Sequence, residues 1–582
     1  MLRSRWKAQM VVALSAVLLA ACGGGGSDSG PADAARIAST SSQTASEGAD
    51  AIADSDADRR DARLRRVTAQ GTVLGSTEAR TGTFRWLGLP YAKAPTGALR
   101  WMPPVDPDAW RGTRDASAFG PSCAQTGRFF SPAPDNAPFG LAVRDGFGKL
   151  VGSEDCLTLN IWRPVGETGA LPVIVFIHGG SNISGYSSDP IYLGGALAAK
   201  AKAVVVTINY RLGMFGWLDM AQLKTGEARA DSGNFATLDH IQALKYIRAN
   251  AAAFGGDPGS VTLMGESAGS VNIWALLVSP LAKGLFHKAV AMSGGVQTAD
   301  GLTPKLYASA LLRALVIADG KAFNDFTAEL YLLSQTRQQV AAFLRSRTTQ
   351  QLIQAEQAAG LSGKSPAVFT DGTVLPQNPI GAILLGQYNR VPMLAGNTRD
   401  EGKLFGPFKP NEYDRFTMQY GFDPDAPPTL SEGDLLSPLF LPVDKPITGW
   451  NTISSLATVA VFGKGIIESM SALSFQQPAQ TWYYRFDWDQ EPAPFNTVYG
   501  AAHAMDLPFA FGNFGRSALS FAFSKANEPG RLALSDAMMK SIGAFAATGD
   551  PNNASLGTAW PNWPARMVFD ASEVGGSTKV ER

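Results

Sequence analysis

Three continuous apolar runs limit what this chain can fold into more than any other feature. Leu171–Ile177 (LPVIVFI), 203–209 (AVVVTIN) and 260–265 (SVTLMG) are short, rich in β-branched residues and closed off by Pro- or Gly-containing stretches. A strand with one wet face alternates polar and apolar residues. A run apolar at every position is buried on both faces, which is the situation of a central strand in a parallel sheet. Between the second and third runs, residues 235–254 repeat their apolar side chains at helical spacing and stop at Gly255-Gly256-Asp257-Pro258. Strands alternating with helices predict an α/β fold, and no internal repeat is present.

The third run leads directly into Gly265-Glu266-Ser267-Ala268-Gly269, a G-x-S-x-G sequence, with a helix-like stretch at 270–277 behind it. Alone, the five residues would pass for a Gly-rich turn. After a strand and before a helix, they predict a sharp turn that presents the Ser267 hydroxyl at the sheet edge as a nucleophile. The following helix start adds backbone donors and a dipole suited to developing negative charge.

A serine nucleophile needs a base, and the chain has only four histidines. His178 lies in the loop after a strand, where a base is not expected. His240 and His287 fall inside helical patterns, as structural histidines do. His503 lies in a late loop, Tyr499-Gly-Ala-Ala-His503, and the chain order nucleophile, acid, base singles it out. The acid should follow a strand-like run between them. The run 391–396 (VPMLAG) is followed by Asn397-Thr-Arg-Asp-Glu-Gly402, which leaves Asp400 and Glu401 as candidates.

Lys+Arg and Asp+Glu both total 50, so no basic excess points to nucleic acid and no acidic tail is present. At 45% hydrophobic and 17% charged, the 582 residues can bury a large core. Residues 303–387 read as a helical excursion over the sheet, and 407–446, rich in proline, as an irregular surface excursion. The first 22 residues are a separate matter. Arg3, Arg5 and Lys7 precede an apolar stretch too short to span a bilayer, so residues 1–22 read as an export signal. It ends Leu19-Ala20-Ala21-Cys22, which resembles the lipobox of bacterial lipoproteins and implies acylation of Cys22. Gly23 lacks the Asp that retains such proteins at the inner membrane, a preference for the outer membrane. Residues 23–66, dominated by Gly, Ser, Ala and Asp, predict a disordered tether, and 67–582 one folded domain. With Cys22 lipidated, Cys123 and Cys156 remain as a pair for an oxidising compartment. Their bridge would close a loop worth roughly 3–4 kcal/mol in unfolded-state entropy.

From about 67 to 564 the chain resembles the type-B carboxylesterase family, which also holds the cholinesterases. The resemblance rests on Phe84-Arg-Trp-Leu-Gly-Leu-Pro-Tyr91, Leu99-Arg-Trp101, Ser153-Glu-Asp-Cys-Leu-Thr-Leu-Asn160 and Asn209-Tyr-Arg-Leu-Gly213. Phe254-Gly-Gly-Asp-Pro258, the Ser267 elbow, Asp400-Glu-Gly402 and Gly549-Asp-Pro-Asn552 complete the series in order. It implies an α/β-hydrolase fold: a large, mostly parallel central sheet with helical insertions over the active site. It implies a carboxylic ester hydrolase working through an acyl-enzyme, with Glu401 as acid, His503 as base and no metal or organic cofactor. It also implies a Cys123–Cys156 disulfide, a buried Arg100–Glu154 ion pair of structural role, and an oxyanion hole from the backbone of Gly180, Ser181 and Ala268. Here the chain departs from the family: Ser181 replaces a glycine and Asn182 the usual aromatic. Glu266 is expected to tune the field around His503. The loop between the two cysteines lacks the Trp of cholinesterases and carries Phe129, Phe130, Phe139 and Phe147 instead. They read either as an apolar substrate face or as packing for the loop. The alternative to an enzyme, an inactive binding or adhesion module of the same family, would lack a triad member.

Overall fold

The computed structural model describes residues 62–405 and 430–582. The expected signal at 1–22, Cys22 and most of the tether therefore lie outside the described residues. Eleven strands form one sheet. In chain order they are β1 (Ser76–Glu78), β2 (Thr83–Pro90), β3 (Thr158–Pro164), β4 (Leu171–Ile177), β5 (Val204–Ile208) and β6 (Gly256–Glu266). β7 (Lys288–Met292), β8 (Met393–Thr398), β9 (Thr481–Phe486), β10 (Arg566–Ala571) and β11 (Gly576–Glu581) follow. Their spatial order is β11-β10-β9-β8-β7-β6-β4-β5-β3-β2-β1. From β10 to β5 all neighbours are parallel. β3, β2 and β1 complete one edge antiparallel, and β11 the other.

The three apolar runs are β4, β5 and the end of β6, and their side chains divide between the two faces as period-2 geometry requires. Val173, Val175 and Ile177 point into one apolar cluster with Ile241, Leu244, Ile273 and Trp274. Ile174 and Phe176 point into the other with Leu197, Ile542 and Phe545. The first layer belongs to α2 (Phe235–Asn250) and α3 (Ala268–Val278), the second to α1 (Gly195–Ala201) and to α10 (Glu528–Thr548). The stop after α2 is Gly255, at φ 72, whose N–H bonds back to the preceding turn. The chain runs from β4 through α1 to β5 on one side, then through α2 to β6 on the other. Reversal of strand order beside β4 opens a crevice at the carboxyl ends of the strands, the place where such sheets take ligands. β6 ends there, one residue before Ser267.

The helical excursion supplies α4 (Thr303–Ala318), α5 (Asp325–Leu333), α6 (Arg337–Arg345) and α7 (Thr349–Ala358). Capping boxes start the last three, at Asn324/Thr327, Thr336/Gln339 and Thr348/Gln351. These helices share an apolar cluster with Trp101, Met214 and Phe215. Arg100 and Glu154 fasten it down. Arg100 pairs with Glu154 at 2.5 Å and also donates to the Arg347 carbonyl at 2.7 Å, while Thr349 donates to Glu154 at 2.7 Å. The ion pair is a structural joint.

Cys123 and Cys156 are bridged. Of the phenylalanines in the loop they close, Phe129 is buried in the second cluster, with Phe130, Phe139 and Phe147 packed against it. They help pack the loop against the body of the fold. The folded part begins before 67: Arg65–Val67 pairs antiparallel with Thr72–Leu74, and the Leu64 carbonyl accepts the Trp86 indole N–H at 2.7 Å. Residues 64–66, expected from composition to be tether, are held by backbone pairing and a side-chain bond, although Arg65 and Arg66 carry no apolar signal. Of 407–446, residues 407–429 lie outside the description. The rest contains the short helix Glu432–Leu435 and a turn at Pro438–Phe440. Beyond it, α8 (Trp450–Ala457) runs through a π-helical segment, Thr458–Gly463, into α9 (Lys464–Gln476).

Candidate active site

Ser267 has φ 55 and ψ −122, a conformation that costs an L-residue on the order of 1–3 kcal/mol unless its surroundings enforce it. They do. A Cβ on Gly269 would meet the Ile177 carbonyl at 2.0 Å, and one on Gly265 would meet the Gly269 backbone at 2.8 Å. The glycines let β6 turn into α3 hard against β4. Ser267 is partly exposed at the head of α3, and Ala268 opens that helix.

Glu401 and His503 arrive on two loops that are themselves joined. Asp400 N–H donates to the Ala501 carbonyl at 2.9 Å. Beyond that bridge, His503 Nδ1 is hydrogen-bonded to Glu401 Oε2, and Glu401 Oε1 accepts the Thr398 N–H at 2.8 Å. Both side chains are buried. The carboxylate takes the Nδ1–H and fixes the tautomer, leaving Nε2 as the ring nitrogen that can accept a proton. Asp400 turns away to Arg399 at 2.8 Å, so Glu401 is the acid that meets the imidazole. Ser267 Oγ and His503 Nε2 are not hydrogen-bonded to each other in this arrangement. Nε2 lies instead 3.1 Å from Glu266 Oε1, off the hydrogen-bond direction. Catalytic contacts of this kind commonly tighten only with substrate in place.

The charges around this pair decide which group holds a proton. Burial lowers the His503 pKa, but Glu266 and Glu401 beside it raise it further, to about 9. Burial pushes the Glu266 carboxyl up to about 8, against the pull of His503, with Asp506 and Glu401 adding to the rise. The two titrations are coupled, since each group's charge acts on the other. When Glu266 is protonated, His503 keeps the charges of Glu401 and Asp506 beside it and holds its proton less tightly. Phe462 and Phe405 cover the imidazole, with ring centroids at 4.7 and 5.1 Å. Phe462 comes from the π-helical segment, and Thr458 of the same segment accepts the Gly402 N–H at 2.9 Å. Neither contact has a signal in the sequence. The π-helical segment only becomes visible in three dimensions.

Facing the elbow, Gly180, Ser181 and Asn182 all have positive φ, at 99, 56 and 60. At 181 a serine adopts the left-handed conformation that glycine takes freely. Ile183 and Ser184 N–H groups close the turn on the Gly180 carbonyl at 3.1 and 3.0 Å. Asn182, in place of the aromatic, is buried and accepts hydrogen bonds from Asn272 at 2.8 Å and Tyr210 at 3.3 Å. Gly179 must be small, since a Cβ there would meet Glu266 Oε2 at 2.7 Å.

The other histidines are structural. His178 stacks on Tyr210 at 4.5 Å, and burial lowers its pKa to about 4. His240 meets the same tyrosine, lowered to about 3 by burial and then by His178. His287 accepts the Val261 N–H at 3.1 Å. Among the described residues, no group of His, Cys, Asp or Glu is placed to hold a metal ion.

Comparison with known proteins points to carboxylesterases. The sequence model of the carboxylesterase family matches residues 63–570. The para-nitrobenzyl esterase of Bacillus subtilis is 34% identical over 508 residues, covering 86% of this chain and 92% of that protein. The fumonisin B1 esterase of Sphingopyxis macrogoltabida is 32% identical over 541 residues, 88% of each chain. Among solved structures, Geobacillus stearothermophilus carboxylesterase EST55 superimposes with TM-score 0.66 at 31% identity, covering 89% of this chain and 98% of its own. A thermophilic PNB esterase does so with TM-score 0.69 at 30% identity, covering 89% and 97%.

Proposed function

This chain belongs to the carboxylesterase family, and from that premise we propose that its ester hydrolysis runs through Ser267, Glu401 and His503. The fold is that of an α/β-hydrolase, the reaction is carboxylic ester hydrolysis by a serine enzyme, and an inactive binding module is not favoured. His503 takes the proton as Ser267 Oγ attacks the ester carbonyl; Glu401 holds the ring and stabilises its charged form. The N–H groups of Gly180, Ser181 and Ala268 receive the tetrahedral oxyanion, each donor contributing about 3–4 kcal/mol in the transition state. The alcohol leaves with the proton from His503. Water then enters, His503 accepts its proton, and the acid is released by the same route. The observation that carries this reading is the buried Glu401–His503 hydrogen bond beside a strained serine elbow. The aromatic cover of Phe405 and Phe462 favours esters with an apolar or aryl group on the His503 side. Ser267→Ala should lower turnover of a nitrophenyl ester by about 10⁴-fold or more with an unchanged circular dichroism spectrum. Retained turnover would reject the assignment.

We also infer export and lipid anchoring in the cell envelope through Cys22, supported by the Leu19-Ala20-Ala21-Cys22 ending and by a bridged cysteine pair. Metabolic labelling with an alkyne fatty acid should mark the full chain and not Cys22→Ser; equal labelling of both would reject the anchor.

A further inference from the structure

We propose that the buried Asn182–Asn272 amide pair is a positioning device that keeps the two walls of the oxyanion hole in register. The inference rests on the reading above, in which one wall is the Gly180–Ser181 backbone and the other the Ala268 N–H. Asn272 lies in α3 four residues beyond Ala268, one turn along the same helix face. Its Nδ2 donates to Asn182 Oδ1 at 2.8 Å, and the two side chains are 1% and 4% exposed. A single short bond therefore spans the gap between the helix that carries one donor and the turn that carries the others.

Asn182 is held from three directions. Its Oδ1 also receives the Tyr210 hydroxyl, which reaches the His178 carbonyl at 2.8 Å, and its own carbonyl accepts the Gly213 N–H at 2.8 Å. That anchorage answers a specific need. Two successive residues with a Cβ, Ser181 and Asn182, stand in the left-handed region, which glycine would occupy freely. Asparagine is the side chain that tolerates this conformation best while offering an amide to fix it. Asn272 Oδ1, meanwhile, is buried with no hydrogen-bond partner. An amide bonded on one side only is a cost that a merely packed position would shed for an apolar residue. A donor array works by being fixed before charge develops, so slack across this gap would weaken the transition state and spare the bound ester.

The test uses Asn272→Ala, which suits a helix interior and leaves the turn sequence intact. We expect kcat to fall about 10- to 100-fold with KM within about threefold of wild type. The inhibition constant of an aryl trifluoromethyl ketone, whose hemiketal oxyanion occupies the same hole, should rise by the same factor as kcat falls. Asn182→Ala should lose as much, and the double variant no more than either alone. Asn182→Gly, which relaxes the turn but removes the amide, should also lose activity and serves if the alanine variant does not fold. Asn272→Ala with kcat and ketone affinity within about twofold of wild type, whatever its melting temperature, would overturn the proposal. Losses that multiply in the double variant would overturn it too. Failure of the triad reading is separate: it would show as activity retained in Ser267→Ala.

Discussion

Ser267 in the elbow and Ser181 in the glycine turn both have positive φ, at 55 and 56. What holds them differs. At the elbow the constraint is backbone against backbone: Gly265 and Gly269 lie so close to β4 and to each other that no other residue fits. In the facing turn, local backbone bonds to the Gly180 carbonyl are joined by side chains far apart in sequence, Asn182, Tyr210 and Asn272, reaching across. A conformation enforced by close approach leaves glycines at fixed spacing. One enforced by a distant hydrogen bond leaves no local trace.

The difference is open to attack at three points. The largest effect belongs to Gly269→Ala. Its methyl would sit 2.0 Å from the Ile177 carbonyl, which cannot retreat without moving β4. We expect a stability loss of about 3 kcal/mol or more, read as a sharp fall in melting temperature. An unchanged melting temperature would mean that close approach does not fix the elbow.

Next comes Glu266→Gln. His503 must be neutral to act, and the Glu266 charge helps hold its proton up to about 9. Removing that charge lowers the pH at which the imidazole becomes free. The acid limb of kcat/KM therefore moves to lower pH; a shift the other way, or none, would remove Glu266 from the account. The smallest effect is at Ser181→Gly. Glycine occupies the turn without strain, so stability should rise by about 1 kcal/mol or less with kcat within about twofold of wild type. Destabilisation would show that the serine hydroxyl matters in itself.

What could be read from the sequence follows the same division. β4, β5 and β6 announce themselves because burial on both faces removes every polar position. The Ser267 elbow is legible because its mechanism demands glycines at two set places. Four histidines left His503 as base, yet residues alone did not separate Asp400 from Glu401. Their backbone context is nearly the same, and the family resemblance was needed. The structure separates them by direction: Asp400 points to Arg399, Glu401 to His503. The Phe405–Phe462 cover was not legible, since a π-helical segment and a ring contact across many residues leave no period to find. Nor was the Asn182–Asn272 bond, although Asn182 in place of an aromatic marked where to look. The phenylalanines of the disulfide loop stayed open between a substrate face and packing, because composition cannot tell one from the other; in the fold they pack with the second cluster.

The central claim is that Ser267 alone carries the acyl group, activated by His503 and Glu401. Intact-mass measurement after exposure to a fluorophosphonate tests it directly. One adduct is expected on the wild type, mapped by peptide sequencing to Ser267, and none on Ser267→Ala. An adduct on any other residue, or a labelled Ser267→Ala protein, would contradict it.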